Sequence, residues 1–140
     1  MLSAFTNLNE STTMNRRLFT AAATAIAFTS TKAAAADVVK ADVLLGTWDV
    51  DLRPNPAAPA YLKSLIVTVV SGGTFSGTFY DAEISVGRIN VDWGTVRIAF
   101  VTSDGSGPYN HSAVLRDGRL EGLTNSTGRK FLAYWSATKK

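Results

Sequence analysis

The sequence predicts an all-β fold, an antiparallel up-and-down barrel of about eight short strands. Three observations lead there. Beyond residue 37 the apolar residues recur at period two, with no sustained helical period. The alternating segments follow one another through mostly tight turns rich in Gly, Asp and Ser. Only residues 53–61 are long enough for the crossing connection that a two-sheet sandwich calls for. A meander with such turns hides its edges by closing on itself, which favours the barrel.

Trp48, Val50 and Leu52 share one face of the first strand, opposite Thr47, Asp49 and Asp51. "RPNPAAPAY" (53–61) carries three prolines and is a loop. "LKSLIVTVV" (62–70) is an apolar, β-branched strand, and "SGG" turns it into "TFSGTFY" (74–80), with Phe75, Gly77 and Phe79 on one side. "EISVGRINV" (83–91) alternates but slips phase: Ile84 and Val86 fit one parity, Ile89 and Val91 the other. A β-bulge at Gly87 repairs it. "TVRIAFVT" (95–102) aligns Val96, Ile98 and Phe100 before the turn "SDGSGP". "YNHSAVL" (109–115) and "RLEGLT" (119–124) flank Asp117-Gly118, the strongest hairpin signal in the chain. "KFLAYWSA" (130–137) closes the series, with Phe131, Ala133, Trp135 and Ala137 on one face. At most one helical turn is expected, near 37–44.

Residues 1–36 read as an N-terminal extension and signal peptide, and 37–140 as a single barrel domain. From Met14 the chain runs Arg16, Arg17, an uncharged Ala-rich stretch to Thr31, then Ala34-Ala35-Ala36. With Phe19 in place this resembles a twin-arginine export signal and predicts a periplasmic or secreted protein. Residues 18–31 are shorter than the ~20 a membrane span needs. The whole chain carries 14 Lys+Arg and 11 Asp+Glu. Arg16, Arg17, Lys32 and Glu10 leave with the signal, so the remainder holds 11 and 10, a net charge of +1. That balance argues against nucleic-acid binding, which depends on neutralising phosphates. Zero cysteines exclude disulfides, thiol nucleophiles and zinc–thiolate sites; with a single histidine, no metal or other cofactor is expected.

Gly-x-Trp on a first strand, in a chain that then meanders, resembles the calycin barrels (lipocalins, fatty-acid-binding proteins, avidins) of a small exported bacterial protein. The likeness to avidin-type chains rests on "GTW" (46–48) with Leu52, and on "FSGTF" (75–79). In those families the tryptophan plugs the closed end. The resemblance therefore implies that Trp48, Trp135 and Lys139 close one rim, with Trp135 or Ala137 near Trp48 and the Lys139 stem over its ring. Avidins place hydrogen-bonding side chains where this chain has Val50 and Phe79, so biotin is not the expected ligand. Phe75, Phe79, Phe100, Phe131 and Trp135 point inward and fill much of the lumen.

The function this architecture predicts is binding of a small apolar or aromatic ligand at the open end. Phe79, Phe100, Tyr109, His111 and Phe131 would line the site, with Tyr61 on its lid. The alternative is a non-catalytic structural or protein-interaction barrel with a filled interior, presenting Leu132 and Tyr134 outward. A third reading pairs His111 with Asp81, Glu83, Asp104 or Tyr109 as an acid–base centre; no catalytic residue is assigned. Asp49 and Asp51 are expected on the solvent side, Arg53 and Arg129 at the mouth, and "SDGSGP" is a hairpin loop with no following helix to cradle a phosphate.

Overall fold

The computed structural model describes residues 39–140, so the expected export signal and its boundary at 36/37 lie outside the described residues. A single 3-10 turn, Ala41–Leu44, precedes the strands. These are β1 (Gly46–Asp51), β2 (Leu62–Ser71), β3 (Thr74–Phe79), β4 (Ala82–Glu83) and β5 (Ser85–Asn90), then β6 (Arg97–Asp104), β7 (Gly107–Arg116), β8 (Arg119–Ser126) and β9 (Phe131–Lys139). Strands next to one another in sequence pair antiparallel, except that β4 and β5 both pair with β3. The first and last also pair, Trp48 opposite Lys139 and Val50 opposite Ala137, so the sheet closes on itself. β4 and β5 are two pieces of one strand position interrupted at Ile84, which makes the closed barrel eight-stranded.

Alternation sets which residues face in. Trp48, Val50, Leu65, Val67, Phe75, Phe79, Ile98, Phe100, Ala113, Leu120, Trp135 and Ala137 form one buried core. Two bulges break the period. In β2 the register slips between Val67 and Val69. In β5 it slips between Ser85 and Arg88. The sequence locates that second slip at Gly87, but the residue turned out of phase is Val86, at φ 53° and 62% exposed. Val86 therefore leaves the face of Ile84, which correlates with a different demand on the glycine: a Cβ at Gly87 would stand 2.2 Å from the Phe75 carbonyl oxygen. Gly87 permits β5 to approach β3, and Val86 absorbs the left-handed backbone instead.

The two-residue turn at Asp117-Gly118 has positive φ at both positions, as a tight Asp-Gly hairpin requires. Tyr80-Asp81 joins Phe79 to Ala82 in the same way, at φ 52° and 64°, without a glycine. One end of the barrel is stoppered. Leu44 and Trp48 are buried there, and the Trp48 indole N–H donates to the Leu44 carbonyl at 2.9 Å. The Lys139 ammonium lies 5.6 Å from the centre of the Trp48 ring and donates to the Val43 carbonyl at 2.9 Å. Lys139 is the β9 residue directly opposite Trp48, and Ala137 lies two residues further in, opposite Val50. Trp135 sits halfway along β9 opposite Gly122, with Phe79 and Phe100 as its aromatic neighbours at 5.3 and 6.5 Å.

Candidate functional site

At the other end the loops 52–61, 80–81, 105–106 and 127–130 surround a cavity of about 440 Å³. The proline-rich loop is held shut at its base. Asp51 binds the Arg53 guanidinium at 2.7 Å, accepts the Arg53 backbone N–H at 3.0 Å, and takes the Tyr61 backbone N–H at 3.4 Å. The Arg53 side chain holds the Asp51 carboxyl down to about 2. Asp49 pairs with Lys140 at 2.9 Å. Both aspartates are thus committed to the barrel's outside, and Arg53 is committed to Asp51.

Of the predicted ligand residues, Tyr61, Phe79, Tyr109, His111 and Phe131 line the cavity together. Phe100 does not reach it; that ring stacks behind His111 at 4.5 Å and 20°. The rim adds Tyr80, whose hydroxyl hydrogen-bonds to that of Tyr61. The two rings meet edge to face at 6.1 Å, and the Lys63 ammonium lies 4.7 Å from the Tyr80 centroid. Arg129 lies over the Phe131 ring at 5.2 Å, and among the described residues no carboxylate stands within salt-bridge distance of it. Asp104 accepts the Ser106 backbone N–H at 2.7 Å and the Tyr109 hydroxyl at 2.9 Å, and these two donors hold its carboxyl below the usual range.

His111 forms the floor. It is buried between Phe79 and Phe100, with Nε2 at 2.8 Å from the Thr102 hydroxyl and Nδ1 at 2.8 Å from the Thr124 hydroxyl. Register explains the trio: His111 faces Thr124 directly across β7–β8, while Thr102 sits one step diagonal across β6–β7. Burial pushes the imidazole down to about 4, so it is neutral near pH 7. Both ring nitrogens are occupied by hydroxyls, so His111 is bonded to none of Asp81, Glu83, Asp104 or Tyr109. The arrangement supplies a neutral, polar floor under an aromatic wall. Among the described residues no cluster of three His, Asp or Glu gathers as a metal site would need.

Sequence reasoning missed Thr102, Thr124 and Tyr80. The threonines were within reach, since Thr102 has the parity of Ile98 and Phe100, and an inward hydroxyl beside an inward histidine is a natural pair. Tyr80 carried no signal, because a tyrosine in a left-handed turn is disfavoured locally. No protein-family model, curated protein or solved structure matches the chain.

Proposed function

We propose that the protein is an exported calycin-like barrel of the periplasm or cell exterior that binds a small apolar or aromatic molecule at its open end. One observation carries this reading: the barrel is packed at one end and keeps a cavity of about 440 Å³ at the other, walled by Phe79, Tyr109, Phe131, Tyr61 and Tyr80. That volume falls in the range of ligand pockets, roughly 300–1,000 Å³, and holds a one- or two-ring compound. Aromatic rings wall it, the polar side chains at its floor are Thr102, His111 and Thr124, and the histidine among them is uncharged near neutral pH. Arg16-Arg17 and the Ala-rich run behind them support export. The test is organic extraction of denatured protein purified from its native host, with mass spectrometry against a blank. A stoichiometric small molecule is expected. No compound, together with no displaceable binding of a hydrophobic fluorophore, would retire the reading.

A second reading has its own observation. Leu132 and Tyr134 are 68% and 55% exposed on the outer face of β9, and Leu123 pairs with Tyr134 beside them. Such an apolar strip suits a protein contact. Affinity capture from a periplasmic extract, comparing the unaltered protein with Leu132→Asp, distinguishes it: a partner lost only with the variant supports it, and identical captures oppose it.

A further inference from the structure

The floor of the open-end cavity has more protons than places to put them. Thr102 and Thr124 each carry one O–H, and neutral His111 carries one N–H. Two hydrogen bonds join the three side chains, and the only acceptor the imidazole offers is its unprotonated nitrogen. If Nδ1 holds the proton, it donates to Thr124, Thr102 donates to Nε2, and the Thr124 O–H is left over. With the proton on Nε2 the roles reverse and the Thr102 O–H is left over. A charged imidazole would donate from both nitrogens and leave both hydroxyl protons over. At least one donor is therefore surplus in every state. Among the described residues neither hydroxyl has another partner. Both threonines are more than nine-tenths buried and both line the cavity.

A second observation points the same way. The Trp135 indole N–H, packed against the same Phe79 and Phe100 rings that enclose His111, is buried without an acceptor. Among the described residues the buried polar side chains are Thr102, His111, Thr124, Ser126 and Ser136, with no carboxylate among them. Ser126 and Ser136 accept from the Arg129 backbone and the Arg119 guanidinium. The interior is short of acceptors, and a buried donor left unpaired is costly enough that its partner has to be sought outside the chain.

We infer that the ligand enters with a neutral hydrogen-bond acceptor leading, a carbonyl oxygen on an aromatic body, and that this oxygen takes the surplus hydroxyl proton of the Thr102–His111–Thr124 chain. This rests on the cavity being a ligand site, as proposed above. A carboxylate is the wrong leading group at the floor, because the cation that lines this cavity, Arg129, lies over Phe131 at the rim and leaves the threonine–histidine floor without a charge to offset desolvation. A leading hydroxyl or amine adds a donor where donors are already in excess. The flat walls of Phe79 and Phe131 suit a ring behind the carbonyl. Because the imidazole proton can reside on either nitrogen, the free O–H is offered from β6 or from β8, which lets one floor serve carbonyls entering at different tilts.

The test uses 2-acetylnaphthalene and 2-isopropenylnaphthalene, which share a shape and differ in C=O against C=CH2. Both are titrated by calorimetry into the unaltered protein and into Thr102→Val/His111→Phe/Thr124→Val, whose folding is checked by circular dichroism. The ketone-to-alkene affinity ratio is expected to be at least about fivefold higher in the unaltered protein, the size of one net hydrogen bond. An equal ratio in the two proteins overturns the inference while leaving the ligand site standing. Binding of neither probe to the unaltered protein removes the ligand site and the inference together. Should the variant fail to fold, the carbonyl-13C resonance of labelled ketone bound to the unaltered protein decides. A downfield displacement from its position in cyclohexane supports the donor, and the cyclohexane position overturns it.

Discussion

Trp48 and Trp135 are both inward-facing and fully buried, yet they stand in opposite circumstances. Trp48 is at the stoppered end, its indole N–H satisfied by Leu44 and its ring covered by Lys139. Trp135 lies under the open cavity with its N–H unpaired, beside a histidine that burial keeps neutral. The stoppered half looks built for stability and is polar only where polarity is answered. The cavity half keeps an orphan donor, a surplus hydroxyl and the glycine-free turn at Tyr80-Asp81. Unanswered polarity collects towards the open end, where the surplus hydroxyl faces the cavity.

The sharpest way to break that contrast is to empty the stopper. Trp48→Ala should cost about 3–5 kcal/mol, read from urea unfolding followed by circular dichroism, because it opens a cavity and strands the Leu44 carbonyl. A loss below 1 kcal/mol would show that the stopper contributes little. Acid probes the other half. His111 titrates at about 4 in the folded chain against an ordinary 6.5. Between those values the unfolded chain takes up the proton and the folded one does not, so stability is full above 6.5 and falls as the pH drops towards 4. The complete loss is roughly 3 kcal/mol. Denaturation midpoints at pH 7 and pH 4.5 should show most of it, and His111→Phe should flatten the difference over that window.

Replacing each tryptophan by phenylalanine compares the halves directly. Trp48→Phe abandons a made hydrogen bond, whereas Trp135→Phe removes an unmade one. The second should therefore be milder by about 1–3 kcal/mol in paired thermal melts. Equal losses would mean the Trp135 N–H is satisfied by solvent within the barrel. The smallest effect belongs to neither half. Val86 sits in left-handed backbone with its side chain in water, so Val86→Asn should stabilise by about 1 kcal/mol. Native-state hydrogen exchange would register the gain as slower amides across β5.

Much of the barrel was legible along the chain. Alternation placed Trp48, Phe79, Phe100 and Trp135 inside, and Asp117-Gly118 marked its hairpin. The open-end side chains Phe79, Tyr109, His111 and Phe131 were nameable by parity, because period two says which way each one points, and Tyr61 by the loop that carries it over the mouth. Phe100 was misplaced because parity gives a direction and not a depth; His111 lies between it and the cavity. The bulge expected at Gly87 falls within the register slip between Ser85 and Arg88, but the residue that takes the left-handed backbone there is Val86, since the glycine was needed where β5 presses on Phe75.

The chain by itself determined the class of fold. Backbone sterics and side-chain alternation act between near neighbours, so strands, tight turns and inward faces are written locally. Tertiary structure alone decided that His111 would find two threonines rather than a carboxylate, that Trp135 would lie deep in the barrel instead of at the rim, and that one end would stay open. Those outcomes depend on the stagger between strands brought together around the barrel, and hydrogen bonds of about 3 Å respond to offsets of a single residue that no local pattern records.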